Sequence, residues 1–301
     1  MKNETKQILT IAICTYNRSD YIKHALLSLV QQTISSNQYS LLIVDNNPTD
    51  STQNIEHSFS DKFKNFKICV EHKQGLSFAR NRAIQECSTP WIAFLDDDAK
   101  ADKNWVKEVL HTISRNDFDA FGGPYTAWLA HGPLPSWLPS DYGDYRPIQS
   151  YGPLQHGTHI PGGNCAIRLE IFKKVGEFSH NMGMKGKSCG YGEETLLFMK
   201  MQQQGFRLGF VPDMKIEHCV LPHKYKLSWQ LRSTFNGGRD WIRLQRYIGN
   251  QKTILHYLYI FLLTTVKCIK YFQIYTFKKA LFLYIKDIFH KAGYIAGSII
   301  K

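Results

Sequence analysis

The sequence predicts an α/β fold: a Rossmann-like, mainly parallel sheet flanked by helices, followed by a basic helical extension. Three observations lead there. Short apolar runs alternate with helically spaced segments through the first hundred residues. Three polar clusters, Thr15-Tyr16-Asn17, Asp45-Asn46-Asn47 and Asp96-Asp97-Asp98, each follow an apolar run. The last 80 residues hold 14 Lys and Arg against only Asp240 and Asp287, so they carry the whole +12 of the chain.

The elements follow in order. Residues 8–14 form a short Ile-rich run, read as a buried strand. Residues 19–32 place apolar side chains at 22, 25, 26, 29 and 30, a helical period, with Ser19 or Asp20 as cap. Residues 41–44 read as a second strand that ends in a turn cluster, Asp45-Asn46-Asn47-Pro48. A short helix over 51–59, a strand over 66–70, a helix over 76–86, a strand over 91–95 and a helix over 105–113 complete the alternation. Such an order specifies parallel strands joined by helices. Ligands of such sheets bind beyond the carboxyl ends of the strands, where the three polar clusters fall.

Residues 122–163 hold seven prolines with Trp128 and Trp137. They read as an irregular, ligand-facing insertion, with the tryptophans either stacking on a ligand or packing beneath the insertion. Regular structure resumes over 168–175, 193–204 and 206–211. The domain division expected is 1–221, split near 121, and a tail of 222–301.

The chain has 301 residues and is 43% hydrophobic, which excludes a disordered or collagenous protein. Seven cysteines without a CxxC argue against a disulfide framework or a zinc module and fit a reducing compartment. The run 254–266 is 13 residues long, short of the roughly 20 needed to span a bilayer. Over 278–296, Leu281, Ile285, Ile288, Phe289, Ala292 and Ile295 share one helical face. Lys279, Lys286, Asp287, His290 and Lys291 take the other. That pattern suits a membrane surface, or else a helix packed on the main domain. The apolar runs of the tail suit lipid better than a phosphate backbone, so no nucleic acid is expected as partner.

Chemistry concentrates in three places. Asp96-Asp97-Asp98 gathers carboxylates that repel one another, which Mn²⁺ or Mg²⁺ relieves; the alternative is a solvated turn with Asp98 capping the next helix. Glu193-Glu194 opens a helix, as dipole complements or as a general base. His218 could complete a metal site from a distant segment. Gly186-Lys187-Ser188 imitates a P-loop end but has Asn181 where glycine is needed. No GxSxG, HExxH or GxGxxG motif occurs.

Residues 11–18 (Ile-Ala-Ile-Cys-Thr-Tyr-Asn-Arg), 43–52, Gly75 with Ala79-Arg80-Asn81, 94–98 (Phe-Leu-Asp-Asp-Asp), 162–168, 175–178 and Gly192-Glu193-Glu194 resemble, in order and spacing, the motifs of the family 2 glycosyltransferases. The resemblance covers roughly 8–220. It implies a GT-A fold, a nucleotide-sugar donor, a divalent metal and inversion at the anomeric carbon. Thr15, Tyr16, Asn17, Asn46 and Arg80, with Asp45 beside them, would line the nucleotide pocket. Asp96 would face ribose or donor sugar, with Asp97 in the same cluster. Asp98 and His218 would hold the metal. Glu194 would be the base and Glu193 an acceptor contact. The base position is usually Asp in the family, so the role could fall to either glutamate. The family's Asp-Asp is Asp45-Asn46 here, which loosens the link to uracil. A glycan or lipid-linked acceptor, and a place at the inner face of an anionic membrane, complete the expectation. The rival readings are a sugar nucleotidyltransferase and a non-catalytic sugar- or nucleic-acid-binding protein.

Overall fold

The computed structural model describes residues 7–46, 49–50, 52–185, 189–250 and 252–299. Of the expected turn cluster, Asp45 and Asn46 belong to a strand paired on both sides, whereas Asn47-Pro48 and the Gly186-Lys187-Ser188 stretch lie outside the described residues. The N-terminal alternation runs β1 (Leu9–Thr15), α1 (Ser19–Val30), β2 (Ser40–Asn46), α2 (Thr52–His57), β3 (Phe66–Glu71), α3 (Leu76–Glu86), β4 (Trp91–Leu95), β5 (Ala99–Ala101) and α4 (Trp105–Arg115). Then come β6 (Ala120–Gly122), β7 (Tyr125–Trp128), β8 (Gly152–Pro153), β9 (Asn164–Arg168), α5 (Phe172–Val175), α6 (Glu193–Gln203), β10 (Leu208–Phe210) and β11 (Ile216–Cys219). The tail is helical: α7 (Leu227–Tyr247), α8 (Ile254–Ile274) and α9 (Phe277–Ile299).

The large sheet has the order β3-β2-β1-β4-β9-β6-β10-β8. Its β3-β2-β1-β4 half is parallel, and β9 runs antiparallel between β4 and β6. Both faces are buried, so strand side chains alternate between two cores. Ile11, Ile13, Leu41, Ile43 and Ala93 pack under α1 and α4. Ala12, Leu42, Val44, Ile92 and Phe94 pack under α3 and α6. The register pairs Thr15 with Asp45, and Ala12 with Phe94. The polar residues after β1, β2 and β4 therefore emerge along one edge.

A second sheet, β5-β11-β7, sits beyond that edge. It pairs His218 with Ala99, and the Cys219 amide donates to the Asp98 carbonyl at 2.9 Å. Asn164 ties the sheets together from a fully buried position. Its Oδ1 accepts from Trp105 Nε1 at 2.8 Å, and its Nδ2 donates to the carbonyls of Pro124 at 2.9 Å and Met214 at 2.8 Å.

One expectation changes, and the packing of two further features is defined. The α1 cap position is Arg18, and its side chain is committed to Asp98 rather than to the helix. The tryptophans of 122–163 pack within the protein: Trp128 lies against His24 and under Lys100 Nζ at 3.6 Å, and Trp137 lies on Phe282 of α9. Helix α9 buries Ala280, Phe282, Gly293 and Gly297, a face other than the apolar one that a membrane-surface helix would turn outward. The cause is close backbone packing on α7. A Cβ at Gly293 would stand 2.1 Å from the Phe235 carbonyl oxygen, and one at Gly238 would stand 2.1 Å from that of His290. Leu281 and Phe289 remain exposed. Among the described residues no helix is long and apolar enough to cross a membrane.

Replacing Asn164 by Ala strands the Trp105 N–H and two carbonyls in a dry site. Each orphaned group costs about 1–3 kcal/mol, so denaturant unfolding should show a loss of about 3 kcal/mol or more. A loss below about 1 kcal/mol contradicts the bridging role.

Candidate active site

The acidic cluster is not a solvated turn, although Asp96 is partly exposed. Asp97 and Asp98 are both enclosed, and β5 follows them directly, so Asp98 caps no helix. Arg18 Nη1 donates to Asp98 Oδ2 at 2.8 Å. His218 Nε2 stands 3.2 Å from Asp98 Oδ1 and 3.6 Å from Asp96 Oδ2. Burial works against ionisation of Asp98, but His218 and Arg18 hold it below the usual carboxylate range. Burial also opposes charge on His218, yet Asp98 and Asp96 push its pKa up to about 9. Asp97, pushed up to about 7 by burial with Arg18 opposing, stands behind them.

One ligand atom each from Asp96, Asp98 and His218 lies within 4.8 Å of the others. Two carboxylate oxygens and one imidazole nitrogen suit Mn²⁺ or Mg²⁺ well, with room left for oxygen ligands from a phosphate. A divalent cation here would offset the same Asp98 and Asp96 charge that raises the His218 pKa. The residues therefore fit a metal, provided His218 gives up its proton.

A cavity of about 180 Å³ opens beside the cluster, lined by Thr15, Tyr16, Asn46 and Asp96 to Asp98. Asn46 is occupied by the backbone. It donates to the carbonyls of Glu71 (2.9 Å) and Lys73 (2.8 Å) and accepts from Gly75 N (2.8 Å). Only an amide can both donate twice and accept, which accounts for Asn over Asp here. Asn17 does not line this cavity; its side chain exchanges hydrogen bonds with Thr49. Asp45 is fully buried beneath the edge.

Arg80 faces the other way, into a second cavity of about 370 Å³ that shares Asp96, Asp98 and His218 with the first. It is buried, pairs with Glu193 Oε1 at 3.0 Å and Asp96 at 3.7 Å, and lies between the rings of Phe94 and Phe178. Its neighbour Asn81 binds both the carbonyl and the amide of Phe178. Glu193 is buried, and burial together with Glu194 pushes its pKa up to about 8 against the pull of Arg80. Glu194 also lines the cavity, and its Oε2 is buried with no hydrogen-bond partner among the described residues.

Two glycines make this proximity possible. A Cβ on Gly163 would stand 1.9 Å from Asp96 Oδ2. One on Gly162 would meet Arg80 at 2.9 Å and Glu194 at 3.1 Å. The strand-edge acids and the helix-borne glutamates therefore converge only where the chain lacks side chains. A separate cavity of about 730 Å³ includes Lys100 and Glu217 in its lining but none of Asp96, Asp97, Asp98, Glu193 and Glu194.

Sequence reasoning missed the part played by the tail. Trp229, His223 and Lys224 line the cavity, as do Tyr125 and His159 from the Pro-rich insertion. Helix α7 also grips the segment leading into α6. The buried Asp240 accepts from Tyr191 N at 3.1 Å and is flanked by Arg239 (2.8 Å) and Arg243 (3.4 Å). Asn236 donates to the Cys189 carbonyl, and Tyr191 Oη meets Ser233 Oγ. The available signal was Asp240 itself, one of two acids in a basic tail. Asp240→Ala should speed amide exchange across 189–194 by more than tenfold, with Asp240→Asn intermediate because one acceptor oxygen survives. Unchanged exchange contradicts the clamp.

Comparisons with known proteins agree with this geometry. The model of the family "Glycosyl transferase family 2" matches residues 10–176, more than half of the chain. Glycosyltransferase AglE of Haloferax volcanii is 27% identical over 229 residues, covering 76% of this chain and 72% of that protein. The succinoglycan biosynthesis protein ExoM of Rhizobium meliloti is 26% identical over 250 residues, covering 81% and 77%. Among solved structures, a mannosyltransferase from Pyrobaculum calidifontis in complex with GDP-Man and Mn²⁺ superposes with a TM-score of 0.62 over 97% of this chain and 86% of that one. Its sequence identity is 14%, so it supports the GT-A fold alone. On the family match and the named relatives, the chain belongs to glycosyltransferase family 2 and is a glycosyltransferase of GT-A fold.

Proposed function

We propose that the protein moves a sugar from a nucleotide-sugar donor to a hydroxyl of a glycan or lipid-linked acceptor, with inversion at the anomeric carbon. The single observation that carries this reading is the unpartnered, buried Glu194 oxygen in the cavity it shares with Asp96, Asp98 and His218. The smaller cavity, beyond β1 and β2, takes the nucleotide with Thr15 and Tyr16. Asn46 and Asp45 shape its wall. Asp96 faces the ribose or donor sugar, beside Asp97. Asp98 and His218 hold Mn²⁺ or Mg²⁺; when bound, such an ion offsets the charge of the leaving diphosphate. Arg18 and Arg80 add fixed positive charge on either side of the acids. Glu194 takes the proton of the acceptor hydroxyl as its oxygen attacks the anomeric carbon. Glu193 is tied to Arg80 and contacts the acceptor, which leaves the base role to Glu194. A UDP-sugar is the favoured donor.

On this reading residues 1–121 form the nucleotide-sugar half, 122–221 the acceptor half, and 222–301 the membrane-facing tail. Support for the tail comes from charge and exposure together. Leu255, Leu262 and Phe277 are 72%, 65% and 69% exposed on helices that belong to the +12 region. Apolar side chains enter the interface while Lys and Arg contribute about 1 kcal/mol each near anionic lipid. The free thiols of the described cysteines accord with the cytoplasmic side.

The first experiment offers a panel of nucleotide sugars with Mn²⁺ and follows nucleoside-diphosphate release. One donor should react. Asp98→Ala should abolish both release and metal-dependent nucleotide binding. Glu194→Gln should keep that binding and lose at least 100-fold in release. Full activity in Glu194→Gln with loss in Glu193→Gln overturns the assignment of the base. His218 retains its proton up to about pH 9 in the metal-free site, and the metal must displace it. Metal affinity should therefore rise about tenfold per pH unit from 6.5 to 8 and level off above 9. A flat profile excludes His218 as a ligand.

The second experiment concerns the tail. The full chain should sediment with phosphatidylglycerol vesicles and much less with phosphatidylcholine. Leu255→Glu with Leu262→Glu should abolish sedimentation while nucleotide binding persists. Undiminished sedimentation contradicts the membrane-facing surface.

A further inference from the structure

Helices α7, α8 and α9 enclose an open groove of about 500 Å³. One wall is Tyr191, which also lines the cavity holding Glu193 and Glu194. The groove therefore adjoins the reaction centre, three residues along the chain from Glu194, at most about 11 Å in Cα distance.

Its lining is unusual. Lys286 and Asp287 are neighbours of opposite charge, and both face the groove. Yet neither forms an ion pair with any described residue. Asp287 is touched by the Tyr271 hydroxyl at 3.5 Å, and Lys286 stands only over the Phe282 ring, at 5.8 Å. Burial without an anion pulls the Lys286 pKa down. Charged groups half-withdrawn from water and left unpaired weaken a fold, so their arrangement calls for a ligand. Ser233 and Thr234 add hydroxyls. The rings of Tyr191 and Tyr271, with Leu283, add flat apolar faces. Gly237 keeps the floor open, since a Cβ there would meet nothing closer than the Tyr191 ring at 4.0 Å.

A cationic donor, an anionic acceptor, hydroxyls and aromatic faces together match one chemistry. A sugar ring presents hydroxyls around its edge and C–H groups on its faces. A phosphate would meet Asp287 as well as Lys286 and His290, and an alkyl chain would leave Lys286 without an anion. We propose that this groove is an acceptor subsite, holding a carbohydrate unit of the acceptor adjacent to the one whose hydroxyl reacts at Glu194. The inference rests on the reading of the neighbouring cavity as the place of sugar transfer. It also gives the tail a second task, selection of the acceptor.

The test is saturation-transfer NMR on the full chain with methyl cellobioside, methyl lactoside and chitobiose as probes. Methyl glucoside and dodecyl phosphate are the comparators. At least one disaccharide should bind tenfold or more tightly than methyl glucoside. Lys286→Met with Asp287→Asn, and separately the groove-filling Thr234→Trp, should each weaken that binding at least tenfold. Thermal unfolding identifies any variant that has lost its fold, leaving the other to decide. Absence of disaccharide binding overturns the proposal, as does binding that neither substitution affects. Binding of dodecyl phosphate alone, lost with Lys286, overturns it in favour of a lipid phosphate. Metal-dependent nucleotide binding in the same samples separates the two readings. Its absence in the unmodified chain counts against the donor site, whereas its presence without disaccharide binding counts against the groove alone.

Discussion

Much of the structure answers to one electrostatic problem, the crowding of carboxylates at the carboxyl edge of a buried sheet. Asp96, Asp97 and Asp98 leave β4 together, and Glu193 and Glu194 approach from α6. Like charges at this density in a poorly solvated place repel strongly. The chain offsets them with three cations drawn from distant segments: Arg18 after β1, Arg80 on α3 and His218 on β11. Each occupies a separate position, and each depends on a different element for its reach. The second sheet, the β1–α1 turn and α3 are thereby coupled to one site.

Such a site has to be tight, and tightness is set by backbone as much as by side chains. Gly162 and Gly163 let Asp96, Arg80 and Glu194 meet where any Cβ would intrude. Asn164, the next residue, fixes that bend by binding one side chain and two carbonyls in the interior. The same device recurs in the tail. Gly238, Gly293 and Gly297 bring α7 and α9 into backbone contact, which decides the rotation of α9 and turns Lys286 and Asp287 toward Tyr191.

The alternation of strands and helices was legible because period-2 and period-3.6 patterns are local properties. Helix 76–86 and strand 91–95 appear with the bounds read from the residues. The site was legible for a related reason: acidic and amide clusters directly following strands fall at one edge of any parallel sheet. Less legible were roles that depend on orientation. Arg80, expected beside the nucleotide pocket, pairs with both Glu193 and Asp96, a pairing its own segment does not announce. For Trp128 and Trp137 the residues left ligand stacking and packing both open, and they pack against His24 and Phe282. The amphipathic pattern of α9 gave no sign of the glycine contacts through which it packs on α7.

The sequence by itself determined the fold class, the family and the identity of the acids at the sheet edge, because these follow from short-range periodicity and from motifs of a few residues. Tertiary structure alone decided which cation meets which acid, which glutamate keeps an unpaired oxygen, and that α7 holds the segment before α6. Those outcomes hinge on contacts between residues far apart in the chain, from 49 positions for Tyr191 with Asp240 to 113 for Arg80 with Glu193 and 120 for Asp98 with His218. A pattern in one segment carries no information about the angle at which another segment arrives. Packing settles that angle, and the chemistry of the site depends on it.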